Sequence, residues 1–367
     1  MCNSVYIHIP FCTDICSYCD FCKIYYNSDL VDKYLNALEV EIKEKYNNEI
    51  INTIYIGGGT PSSLNLEQLE NLFKIISIFN IDIKEFTFEC NIENIDEEKI
   101  KLLSKNGVNR ISIGVQSFDS DLLRLLNRKH TTNMVYDKVS MIKKYINNIN
   151  LDLMYAISGE TIDILNNDID NILKLDVNHI STYSLIIEDN TILKNMHIEY
   201  IDDELDYNMY NLICNRLKSN GYNHYETSNF AKEGYESKHN LVYWNNEHYY
   251  GFGAGASGYI DNIRYTNTKS VKNYIDNKLN REEEILSTNE IIENEFILGF
   301  RKVKGIDVNK LLDKYKIDIK KIDFINKLIQ DNKLILKDNY LSINEDLIYV
   351  SNNILVEFLG RNYEQYI

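Results

Sequence analysis

Three cysteines fall at C-x3-C-x2-C spacing within Tyr6 to Cys22, which reads Y-I-H-I-P-F-C-T-D-I-C-S-Y-C-D-F-C. Cys12, Cys16 and Cys19 share a loop short enough for three thiolates to reach three corners of one inorganic cluster. An iron–sulfur cube held this way keeps one iron free for another ligand. Two other chemistries use cysteines. Structural zinc takes four protein ligands, often from paired C-x2-C knuckles, so Cys22 or His8 would have to complete it. Disulfides belong to oxidising compartments, and nothing in the sequence suggests export. Tyr18 inside the loop and a short apolar strand before it, Val5–Ile9, agree with the cluster.

The bulk numbers bound what surrounds this loop. The chain has 367 residues, enough for one large domain and a smaller one, and its hydrophobic content of 44% supports an ordinary core. A net charge of −16 argues against nucleic acid or an anionic membrane as the main partner, since both would repel it. No apolar run reaches membrane-spanning length. Met1-Cys2-Asn3-Ser4 has neither a basic region nor an apolar segment, so no signal peptide is expected. Four of the seven cysteines lie within Cys12–Cys22, which suits a reducing cytoplasm.

Strand-like and helix-like segments alternate along the first half. Val5–Ile9, Thr53–Ile56, Phe86–Glu89, Arg110–Val115, Leu151–Tyr155 and Ile180–Leu185 read as strands. Leu30–Tyr46 and Leu66–Ile78 carry apolar residues at helical spacing, as do stretches between the later strands. Six such units indicate parallel strands with crossover helices, and a partial (β/α)6 barrel is expected over residues 1–200. In barrels, chemistry gathers at the carboxyl ends of strands. Residues 201–275 are expected to cover the barrel, with a helix over Glu204–Asn220 closing at Gly221. Residues 276–367 read as a small α+β domain, with Glu290–Phe300 helical and Leu311–Leu341 a helix-plus-hairpin module. The boundary near 265–285 has no Pro/Gly linker.

The informative polar residues fall at the expected strand ends. Gly57-Gly58-Gly59-Thr60-Pro61 follows the second strand, and its glycines let backbone approach a ligand closely, although a generic tight turn is the bland reading. Glu89, Gln116 and Asp152 close or occupy the third, fourth and fifth strands, and Arg128 follows in L-N-R-K-H. An arginine fork suits a carboxylate, and amide or acid side chains suit sugar hydroxyls, but each residue is equally compatible with a structural role. His239-Asn240-Leu241-Val242-Tyr243-Trp244 holds the sole tryptophan. Physics alone favours an aromatic cluster that docks the second domain, with His239 a satisfied hydrogen-bonding partner. Gly251–Gly258 is expected to lay a loop over the barrel mouth.

The cysteine loop resembles that of the radical S-adenosylmethionine (SAM) superfamily. The full string Y-I-H-I-P-F-C-x3-C-x-Y-C-D-F is similar to its branch of anaerobic coproporphyrinogen dehydrogenases and the related heme chaperone family, HemW. The likeness recurs as far as Gly305. It implies a [4Fe–4S] cluster on Cys12, Cys16 and Cys19, with SAM on the open iron. It also implies SAM contacts at Tyr6, Tyr18, Gly58, Gly59, Thr60, Glu89, Gln116, Arg128 and Asp152, with Ile186 flanking the adenine. H-N-x-x-Y-W resembles a chaperone-branch motif proposed to serve heme, which makes His239 a candidate heme ligand, with Lys232 and Lys238 as candidates for the propionates.

Two features separate the branches. Only five residues precede Tyr6, whereas the dehydrogenases carry a longer amino-terminal arm. Position 21 is Phe and the extra thiol is Cys22, where a dehydrogenase has C-x3-C-x2-C-x-C. The expectation is therefore a heme chaperone delivering heme to an acceptor protein. The alternatives are oxygen-independent coproporphyrinogen III dehydrogenation in porphyrin biosynthesis and a methyltransferase-like heme degradation. Any radical turnover would need an electron donor.

Overall fold

The structure, a computed structural model, describes residues 2–366. Six parallel strands stand side by side in chain order. They are β1 (Ser4–Ile9), β2 (Ile50–Gly58), β3 (Asn80–Asn91), β4 (Arg110–Gln116), β5 (Asn148–Tyr155) and β6 (His179–Ser184). Helices fill the crossovers, and short polar residues start them. Asn27 accepts from the Leu30 N–H at 3.1 Å to begin Ser28–Lys45, and Asn65 with Gln68 forms a capping box for Leu66–Ile76. The expected partial barrel is the observed architecture.

The strands carry two chemistries on alternate residues. Ile54, Ile56, Phe86, Phe88, Ile111, Ile113, Leu151 and Leu153 are buried in the main core. A side chain of this size contributes about 1.5–3 kcal/mol when fully buried. The alternate residues on β2 to β6, among them Tyr55, Glu89, Ser112, Asn150 and Ser181, line one interior cavity. Side chains from five neighbouring strands converge on a single cavity because the sheet curls.

Residues after β6 extend this sheet at both edges. Tyr250–Phe252 pairs parallel with β1, placing Ile7 opposite Phe252, and Asn229–Ala231 pairs antiparallel with β6. The expected loop over the mouth at Gly251–Gly258 is therefore corrected. The segment begins as this edge strand and ends in Ser257–Ile260, part of a separate three-stranded sheet. Gly253 turns the chain at φ +101°, where a Cβ would meet the His8 carbonyl oxygen at 2.6 Å. Its role is tight packing behind β1.

A second hydrophobic core, from Ile292 to Tyr363, is built on Thr288–Gly299. Two helices, Val308–Tyr315 and Asp323–Gln330, precede the hairpin Leu334–Lys337 and Tyr340–Ile343, where the sequence suggested one. No helix among the described residues is long and apolar enough to cross a membrane.

Candidate functional site

The cysteine loop is closed at its neck by a small parallel ladder. Phe11 and Cys12 pair with Ile24 and Tyr25, the Ile24 N–H donates to Pro10 O at 2.7 Å, and Tyr26 N–H to Cys12 O at 2.8 Å. Its far side leans on the chain after β4, where Ser17 Oγ donates to Leu125 O at 2.6 Å and Asn127 Nδ2 to Ile15 O at 2.7 Å. Held from both ends, Cys12, Cys16 and Cys19 line one cavity of about 450 Å³. Cys22 does not share it, because its thiol donates to Lys269 O at 3.1 Å. His8, the other residue a zinc site would need, has Nε2 on Cys22 O at 2.8 Å and Nδ1 on the Tyr6 hydroxyl at 2.9 Å. Among the described residues, no three His, Cys, Asp or Glu side chains converge on a single ion. Cys90 of β3 also borders the cavity, but it is buried in the main core, so the loop supplies three thiols, the donor set a three-cysteine cluster requires.

Tyr18, Gly58, Gly59, Thr60, Glu89, Gln116, Arg128, Asp152 and Ile186 all line that same cavity. The glycine turn packs on the loop's neck, with Gly59 N–H donating to Ile9 O and Thr60 N–H to Phe11 O, both at 2.9 Å. A Cβ at Gly59 would stand 2.9 Å from the Cys12 sulfur, and Thr60 Oγ1 donates to that sulfur at 3.4 Å. Gln116 turns inward from the end of β4 at φ +71°, a conformation that costs a non-glycine residue about 1–3 kcal/mol and so has to be held by its surroundings. Buried Asp168 supplies that hold by accepting from Ser117 Oγ at 2.6 Å and from the Phe118 N–H at 3.0 Å. Tyr6 departs from expectation. It lies behind the cavity wall, its ring 6.1 Å from that of Tyr55, which occupies the wall itself.

Charge in this cavity is mixed. Burial pushes the Glu89 carboxyl up to about 7, and Asp152 adds to the rise, while Tyr55 Oη at 2.7 Å and the Gly58 N–H at 3.1 Å donate to it and oppose it. Burial also raises Asp152, which accepts from Asn150 Nδ2 at 2.7 Å. Arg128 is threaded among acceptors, with Nη2 on Gly114 O at 2.7 Å and Nη1 on Asn91 Oδ1 at 3.1 Å. Its Nε is buried without a partner.

His239 is in a different position from the one its motif suggested. It is fully buried, Nδ1 meets Thr53 Oγ1 at 2.8 Å and Nε2 meets the Tyr243 hydroxyl at 2.8 Å. Burial holds its imidazole down at about 4. Both nitrogens are engaged, so the side chain is not presented to an iron, and the heme-ligand expectation is corrected. The helix Lys238–Trp244 that carries it instead plugs the base of the barrel, where Glu85, midway along β3, accepts the Lys238 and His239 N–H groups at 2.8 and 3.0 Å. The chain just after that helix docks the second domain through Asn246 Nδ2 to Ile291 O at 3.2 Å. Lys232 is paired with Asp176, and Lys238 is exposed.

Tyr55, Asn91, Arg110 and Asn150 line the cavity without having been singled out by the sequence reading. The signal was present as period-two polarity, in E-F-T-F-E-C-N and R-I-S-I-G-V-Q, which marks a strand whose second face is a polar interior. Arg110 is 2% exposed, and among the described residues its one side-chain hydrogen bond runs from Nη1 to Thr87 Oγ1 at 3.5 Å.

The radical SAM superfamily profile matches residues 6–172. The chain is 41% identical to the heme chaperone HemW of Lactococcus lactis over 372 aligned positions, covering 97% of each chain. It is 42% identical to that of Bacillus subtilis, covering 85% of this chain and 87% of the relative. Among solved structures, the Escherichia coli coproporphyrinogen III oxidase HemN, described as a radical SAM enzyme, superimposes with a TM-score of 0.85 at 20% identity, over 97% of this chain and 90% of that one. At that identity the likeness establishes the fold.

Proposed function

Because this chain belongs to the radical SAM superfamily and, within it, to the heme chaperone HemW family, we propose that it binds heme and passes it to an acceptor protein. The observation that carries the reading is identity of 41% to a heme chaperone across 97% of both chains. The donor set fits the cofactors that such a protein would use. Cys12, Cys16 and Cys19 would hold a [4Fe–4S] cluster, and Gly58, Gly59, Thr60 and Arg128 would hold the amino and carboxylate end of SAM. Gln116 and Asp152 suit the ribose hydroxyls, Glu89 supplies a further acceptor, and Ile186 offers an apolar flank to the adenine. When bound, the cluster would supply an open iron for the amino and carboxylate groups of SAM and an electron for its sulfonium.

Arg128 neutralises a carboxylate within reach of the loop, the glycine turn exposes backbone groups to an ammonium, and Tyr18 walls the site. We assign no axial heme ligand, since His239 is engaged elsewhere. The proposed setting is the reducing cytoplasm, where the loop thiols stay free. A porphyrinogen dehydrogenase built on the same apparatus is the second reading, favoured by the fold likeness alone. The test is a heme titration of anaerobically reconstituted protein followed by absorption. The expected result is saturable binding near one heme per chain, and a featureless linear rise would overturn the proposal.

A further inference from the structure

A chain of hydrogen bonds runs through the barrel interior from Ser237, the N-cap of the plug helix, to Asp152 in the cavity. The Ser237 N–H donates to the Tyr225 hydroxyl at 3.2 Å, and that hydroxyl meets His179 Nε2 at 2.8 Å. His179 Nδ1 meets Asn150 Oδ1 at 2.6 Å, and Asn150 Nδ2 donates to Asp152 Oδ1 at 2.7 Å. His179 is wholly buried and Asn150 is 1% exposed.

The network fixes every proton. Asn150 turns its amide nitrogen toward the Asp152 carboxylate, so its oxygen faces the imidazole and also accepts from Ser181 Oγ at 3.1 Å. His179 must then carry its proton on Nδ1, leaving Nε2 to accept from Tyr225. The hydroxyl has already accepted from the Ser237 N–H, so its own proton is free to go to His179. All four donors point the same way, and bonds aligned head to tail in a dry interior strengthen one another. Burial and the charge of Arg110 hold the imidazole neutral, as this tautomer needs.

We propose that His179 and Tyr225 are positioning residues for SAM, holding the Asp152 carboxylate in one orientation toward the ribose hydroxyls. The inference rests on the reading that SAM fills this cavity with its ribose at Asp152. It also gives the plug-helix motif a second use, since the cap of that helix anchors the far end of the chain.

The experiment measures binding of 5′-deoxyadenosine and of its 2′,5′- and 3′,5′-dideoxy analogues to the reconstituted protein, to His179→Phe and to Tyr225→Phe. Tyr225→Phe deletes a single hydroxyl and guards against loss of folding, which thermal melting checks. The parent should prefer the diol over at least one analogue by about 10-fold or more, the value of a hydrogen bond to a charged group. In both variants that preference should shrink at least threefold. A parent with no preference would remove Asp152 from the ribose and overturn the SAM placement together with the relay. A parental preference that survives unchanged in both folded variants would overturn the relay alone.

Discussion

Arg128 Nη1 stands 3.6 Å from the Cys16 sulfur, joining the strand-end acceptors to the cysteine loop through one guanidinium. Its other bonds, to Gly114 O, Asn91 Oδ1 and the Glu93 carboxylate, fix the fork in place before any ligand arrives. Lysine carries the charge without the planar fork. Arg128→Lys should therefore weaken SAM binding about 10- to 100-fold, the range expected for a charged hydrogen bond, when measured by calorimetry on clustered protein. Unchanged affinity would remove Arg128 from the site.

Cys12, Cys16 and Cys19 share the cavity, whereas Cys22 is turned to Lys269 O. Single Cys→Ser changes at the first three should abolish reconstituted cluster iron, and Cys22→Ser should retain it. Iron and sulfide content with the visible spectrum decides this. Loss of all iron from Cys22→Ser would overturn the three-thiol assignment.

His239 braces Thr53 against Tyr243 at the base of the barrel. His239→Ala removes two buried hydrogen bonds and leaves a cavity, so it should cost about 2–5 kcal/mol in denaturant unfolding. Heme absorption by the folded fraction should persist. A variant of full stability that loses heme would restore His239 as a ligand.

Glu160 is buried, its Oε2 accepting from the Ile157 N–H at 3.0 Å while Oε1 lacks a partner. Burial pushes its carboxyl up to about 8, and Asp168 adds to the rise. The folded state thus keeps a proton that the unfolded chain releases from about pH 4.5. Its contribution to stability is full below that pH and is lost as pH climbs toward 8. Glu160→Gln keeps an acceptor and cannot ionise, so its melting temperature should match the parent's near pH 5 and exceed it at pH 8–9. A difference that does not grow with pH would contradict this.

Much of this architecture was legible in residues with strong local rules. The strand cores and the cysteine loop follow from alternation and spacing, and the structure places them where the sequence put them, whereas the first helix begins at Ser28, two residues before the expected Leu30. The barrel's polar interior was harder to read, because Thr87, Arg110, Asn150 and His179 acquire meaning only when five strands curl around one cavity. The heme role that the resemblance implied for His239 and the loop expected at Gly251–Gly258 were misplaced for a related reason, although the physical reading of His239 as a satisfied hydrogen-bonding partner matches its bonds to Thr53 and Tyr243. Both sit on segments that return to the sheet from the far end of the chain, and no local pattern encodes which end of the barrel a returning segment closes.

We propose that this radical SAM scaffold carries heme without decarboxylating a porphyrinogen. The most direct measurement supplies anaerobic, cluster-loaded protein with SAM, a low-potential reductant and coproporphyrinogen III, and follows porphyrinogen products by chromatography beside a parallel heme titration. The account predicts saturable heme binding and no protoporphyrinogen above the protein-free control. Repeated turnover to protoporphyrinogen would contradict it.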